Sequence, residues 1–161
     1  IRDPDPVIFL EPMRVYRAIK EEVPDKEYTI PIGKAEVEQE GSDLTVISYG
    51  AMLKYTKEAL EKSDYSAEII DVRTISPLDT ETIIKSVEKT GRCVIVNEAP
   101  KTCGFAAEII ARINEKAFFN LEAPIERVTG YDCAFPLAKL EEYYLPDEKR
   151  ILKAVNKVMS Q

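Results

Sequence analysis

Histidine is absent from the 161 residues, and cysteine occurs only at Cys93, Cys103 and Cys133. Without histidine the chain lacks the commonest general base at neutral pH. A self-contained Ser-His-Asp or Cys-His catalytic set is therefore excluded. No CxxC pair occurs, so a zinc site of the usual Cys/His kind has no ligand supply. A sparse, odd number of thiols fits a reducing compartment. No run approaches the roughly 20 apolar residues that a membrane helix requires. No signal peptide, internal repeat or low-complexity segment is visible, and the first residue is Ile1 rather than Met. A Walker A loop is also missing. The junction Ser48-Tyr49-Gly50-Ala51-Met52 offers one glycine where a dinucleotide fold uses three. Gly50 is read as permitting a tight turn.

What is present is a globular composition, 45% hydrophobic and 32% charged. The length suits one domain with a short attachment. A net charge of −7 argues against nucleic acid, whose phosphates need a basic face. It permits a basic protein partner.

Along the chain, Val7 to Leu10 reads as a strand buried on both faces, after an Asp- and Pro-rich turn. A strand with no neighbours before it suggests the end of a preceding domain. Met13 to Glu22 has helical spacing and is stopped by Pro24. Ala35 to Glu40 and Leu44 to Tyr49 are expected to form a hairpin about Gly41. A regular rhythm follows: helix Ala51 to Lys62, strand Ala67 to Val72, then a helix capped by Ser76 with Pro77 in its first turn and Asp79 in a capping box. Gly91 ends that helix. Strand Cys93 to Val96, helix Gly104 to Phe118, strand Ile125 to Val128, a short helix within Leu137 to Glu142 and a last helix from Pro146-Asp147 complete the order. Repeated strand–helix–strand units imply a parallel sheet. The fold expected is a three-layer α/β domain with about five strands, mostly parallel with one antiparallel. Residues 1–33 are read as the tail of another domain plus a linker, and 34–161 as the domain itself.

In such sheets ligands bind at the carboxyl ends of the strands. Arg73 and Thr74, Asn97 and Glu98, and Thr129 to Asp132 converge there. Glu98 has the chemistry of an acid or base, or of a group that bonds loop amides. The second reading is preferred, since no nucleophile or cation is spaced to work with it. Cys103 lies near a helix start, where a thiol can acidify, or it is simply a small packed residue. Glu122 and Glu126 are four apart at a strand entrance, suited to a basic partner or to a solvated acidic rim. Ile1, Asp3 and Asp5 form a polar turn whose carboxylates and carbonyls can hold a hard cation, although Asp and Pro are ordinary turn residues.

A family resemblance joins these pieces. Asp5-Pro6-Val7-Ile8-Phe9-Leu10-Glu11-Pro12, Ile30-Pro31-Ile32-Gly33-Lys34-Ala35-Glu36-Val37, Glu40-Gly41-Ser42-Asp43-Leu44-Thr45 and Tyr49-Gly50 resemble the β subunit of the E1 component of 2-oxo acid dehydrogenase complexes. So do Asp71-Val72-Arg73-Thr74-Ile75-Ser76-Pro77-Leu78-Asp79, Glu98-Ala99-Pro100, Gly104-Phe105, Tyr131-Asp132, Phe135-Pro136 and Tyr144-Leu145-Pro146-Asp147. The resemblance runs in order through the whole chain.

It implies a transketolase-like C-terminal domain following the last strand of a thiamine-diphosphate-binding domain. The family enzyme is an α2β2 assembly of E1 α subunits and two β subunits. It decarboxylates a 2-oxo acid on thiamine diphosphate and Mg, then reductively acylates a lipoyl group on E2. The family's cofactor-activating glutamate and β-side histidine would lie before Ile1, so this chain alone is expected to be inactive, with no catalytic or cofactor-binding residue of its own. A family potassium site of pattern Ile-x-Asp-x-Asn matches Ile1, Asp3 and Asp5, with Asp in place of Asn. The basic peripheral-subunit-binding domain of E2 docks, in some members, at positions matching Glu122, Glu126 and the terminal carboxylate of Gln161. Glu11-Pro12 with Tyr16-Arg17 resembles branched-chain enzymes more than pyruvate enzymes. The compartment implied is the cytoplasm, or the mitochondrial matrix in a eukaryote, with no membrane or nucleic-acid partner. The alternatives are an acetoin dehydrogenase or other transketolase-like thiamine enzyme, and a non-enzymatic α/β protein-binding module. Val7 to Leu10, lacking its own sheet, is expected to be displaced, disordered or paired with another chain.

Overall fold

The computed structural model describes residues 2–137 and 139–161. Five strands, β1 (Glu36–Gln39), β2 (Leu44–Ser48), β3 (Ala67–Asp71), β4 (Cys93–Pro100) and β5 (Glu126–Gly130), form one sheet in the order β1-β3-β2-β4-β5. β2 is parallel to β3 and β4, β4 is parallel to β5, and only β1 is antiparallel, against β3. The helices are α1 (Met52–Leu60), α2 (Thr80–Thr90), α3 (Ala106–Ala117), α4 (Glu141–Tyr144) and α5 (Glu148–Met159). The expected architecture, a mostly parallel sheet with one antiparallel strand, is the one observed.

Strand residues alternate between two cores, which is why these strands read as continuous apolar runs. Leu44, Val46, Ile69, Val94 and Val96 face Met52 and Ala59 of α1 and Ile151, Val155 and Val158 of α5. Ile47, Ile70, Cys93 and Ile95 face Ile83 and Val87 of α2 and Ile109 and Ile113 of α3. The sheet is thus covered on both sides, giving three layers.

Four local expectations are corrected. The hairpin does not form, because both edges of β2 are taken by β3 and β4. The fully buried β2 belongs at the centre, whereas the more exposed β1 suits an edge. Between them the chain crosses the start of β3. The amides of Ser42 and Asp43 donate to the Ser66 carbonyl, and a side chain at Gly41 would collide with the Ala67 carbonyl carbon at 2.1 Å. Second, α2 starts at Thr80 and is capped by Asp79, not Ser76. The Asp79 carboxylate accepts from the amide of Thr82, one of the unpaired donors of the first turn, as an N-cap does, and it also accepts from the Ala35 amide outside the helix.

Third, the helix expected over Met13 to Glu22 shrinks to one 3-10 turn, Met13–Val15. Only Val15 packs against the core, while Met13, Tyr16 and Ile19 remain exposed, and a short helix with so little burial is not self-supporting. Fourth, Val7 to Leu10 is not a strand and is exposed throughout. No described helix is long and apolar enough to cross a membrane.

Candidate functional site

The carboxyl edge of the sheet contains a topological switch point between β2 and β4, the usual crevice of an open α/β sheet. Tyr49 follows β2, and its ring meets Phe105 edge-on at 6.1 Å. Burial pushes the Tyr49 phenol up from its ordinary value. Asn97 of β4 is wholly buried beside it. Its amide donates to the Ala99 carbonyl at 3.4 Å, and its Oδ1 has no partner among the described residues. Gly50 has a φ of +59°, which glycine adopts without strain, and open space where a side chain would stand.

The charged residues of this edge serve the framework. Arg73 reaches Glu36 at 2.6 Å, Glu38 at 3.4 Å and Asp71 at 3.5 Å, tying the ends of β1 and β3 together. Burial pushes the Asp71 carboxyl up, against the Arg73 amide and guanidinium, which pull it down. The Thr102 amide and hydroxyl each donate to the Asp132 carboxylate at 2.8 Å, and these bonds hold that carboxyl below its ordinary range. Glu98 lies near Tyr144, whose phenol is raised by burial first and then by Cys133, Glu98 and Asp132. Among the described residues no three His, Cys, Asp or Glu side chains come close enough to hold a metal ion.

The proposed cation turn falls partly outside the described residues, since Ile1 is not among them. Of its other members, the Asp3 carboxylate accepts from the Asp5 amide at 2.9 Å, as in an ordinary Asx turn. Cys103, for which a small packed residue is one of the two readings, is exposed, as is Cys133, while Cys93 is buried.

At the opposite end of the sheet the structure gathers Glu122 and Glu126. Glu122 pairs with Arg92 and Glu126 with Lys157, the latter at 2.5 Å. Arg92 Nε also donates to the Val158 carbonyl at 3.2 Å, so it bridges Glu122 to the last turn of α5. Gln161 follows that turn and is exposed. The three sequence-predicted docking residues thus lie near one end of the domain, with both glutamates already holding cations of the same chain.

Sequence reasoning missed an apolar groove beside Glu122. Its volume is about 580 Å³, and Ile110, Phe118, Phe119, Leu121, Pro124 and Ile125 line it. Phe119 is 99% exposed and Phe118 58% exposed. The signal was available: two consecutive phenylalanines at a helix end cannot both face one core.

Residues 33–151 match the family model of the transketolase C-terminal domain. The chain is 51% identical over 162 residues to the pyruvate dehydrogenase E1 component subunit beta of Bacillus subtilis, covering 99% of this chain and 50% of that protein. It is also 51% identical over 163 residues to the mitochondrial 2-oxoisovalerate dehydrogenase subunit beta of Dictyostelium discoideum, covering 99% and 44%. A solved split-gene transketolase, an inactive beta4 tetramer, superposes with a TM-score of 0.72 at 26% identity, covering 87% of this chain and 46% of that one. The chain spans about half the length of the curated relatives it matches. Pyruvate and branched-chain types match equally at 51%, so the expected tilt toward the branched-chain type gains no support.

Proposed function

Since the chain belongs to the family of transketolase C-terminal domains, we propose that it is the assembly-bearing C-terminal half of a β subunit in the E1 component of a 2-oxo acid dehydrogenase complex. The observation that carries this reading is 51% identity to such subunits along 99% of the chain. The activity of the whole enzyme would be decarboxylation of a 2-oxo acid on thiamine diphosphate and reductive acylation of the lipoyl group of E2.

The residues present do not fit the cofactor. Thiamine diphosphate with Mg needs carboxylate or carbonyl oxygens around the ion and donors for the diphosphate. Of the cations at the carboxyl edge, Arg73 is committed to three carboxylates and Arg150 to the carbonyls of Thr129, Tyr144 and Leu145, and no ligand trio is assembled among the described residues. No catalytic step is therefore assigned to this chain. The potassium site would rest on Ile1, Asp3 and Asp5, and thus partly on a residue outside the description.

Assembly is the role the surfaces support. Exposed Val7 to Leu10 and the Phe118–Phe119 groove are apolar faces with no partner among the described residues. We assign the groove to a second copy of the β chain. Beside it stand two acids, Glu122 and Glu126, and two bases, Arg92 and Lys157. Such a balanced set complements itself across a two-fold axis. An E1 α subunit would complete the α2β2 enzyme. For docking of the basic E2 domain at Glu122, Glu126 and Gln161, partner cations would exchange with Arg92 and Lys157. The gain from such an exchange is modest. The compartment is that of the complex, cytoplasmic or mitochondrial.

The test is reconstitution. The full β subunit carrying this chain, co-purified with its α partner, is expected to turn over pyruvate or a branched-chain 2-oxo acid when thiamine diphosphate is supplied. The 161-residue chain alone is expected to show no turnover. Activity of the isolated chain, or failure of the assembled enzyme on every 2-oxo acid tried, would overturn the proposal. In calorimetry with the E2 binding domain, the double variant Glu122→Lys/Glu126→Lys should bind about tenfold more weakly (about 1.4 kcal/mol) and with a flatter salt dependence. Unchanged affinity removes these residues from docking.

A further inference from the structure

We draw no further inference here: the strongest candidate, the Asn97 carboxamide at the β2–β4 switch point, wholly buried with its Oδ1 unpartnered among the described residues beside Tyr49 and the start of α3, carries nothing because a lone enclosed acceptor identifies neither a ligand nor a path by which one could enter.

Discussion

Val7-Ile8-Phe9-Leu10 and Cys93-Val94-Ile95-Val96 have the same character, four consecutive apolar residues each, and meet opposite fates. The second is wholly buried, whereas the first is exposed by 50%, 87%, 81% and 78% in order. The difference lies in the neighbours. β4 is flanked by β2 and β5 and covered on both faces by helices. Val7 to Leu10 has no strand partner among the described residues. An apolar run therefore specifies a demand for burial, not the place where it is met. The demand of β4 is met within the chain, while that of the leading segment is left for another surface.

The sharpest way to break this comparison is a pair of truncations. Ile95→Ala empties a fully buried position and should cost about 2–5 kcal/mol in urea unfolding, the usual range for a large aliphatic residue in a close-packed core. Phe9→Ala, although it removes more side chain, should change the stability of the isolated chain by less than about 0.5 kcal/mol. Comparable losses at the two sites would mean that the leading segment packs in solution, and the comparison would fail.

Asp79 is one of the places where the segment before the sheet is joined to the domain. Burial alone would raise its carboxyl, but bonds from the Ala35 amide and from the Thr82 hydroxyl and amide, with Lys34 nearby, outweigh that and hold it below its ordinary value. A lowered folded value makes the sign definite. The carboxylate's contribution is complete above the unfolded value and is lost as pH falls through the folded one. Asp79→Ala should cost about 0.5–2 kcal/mol at neutral pH, as for other lost helix caps. It should also flatten the fall in stability below about pH 4. An acid limb of unchanged steepness, measured by urea titration at stepped pH, would assign that limb to other carboxylates.

The same contrast explains what was legible in the sequence. β2, β3, β4 and β5 and the main helices were readable because their periodicity agrees with the burial they receive, as at Ile109 and Ile113 of α3 or Ile151 and Val155 of α5. Pairing was less legible. Nothing local in Glu36–Gln39 says that β1 joins β3 rather than β2, since that depends on which edge remains open once β4 is in place. The cap of α2 was misread because the amide that helps fix Asp79 comes from Ala35, 44 residues earlier. In the candidate sites, Glu122 and Glu126 could be named from spacing, but not their cations. Arg92 and Lys157 arrive from a different strand entrance and from the last helix.

The smallest effect on the monomer is expected at the groove, which makes it the finest test of the contrast between met and unmet burial. Phe119 is 99% exposed, so Phe119→Ser removes almost no buried area within the chain and should shift unfolding stability by less than about 0.5 kcal/mol. If the groove receives a second copy, the same substitution acts on association instead. An aromatic residue at the centre of an apolar patch is the kind of anchor that carries interface energy. Sedimentation equilibrium should then show self-association weakened about tenfold or more, equivalent to at least about 1.4 kcal/mol. Phe9→Ala in parallel should leave self-association unchanged, because the leading segment lies outside the groove lining. If Phe9→Ala weakened association and Phe119→Ser did not, the leading segment rather than the groove would be the face that meets a second copy.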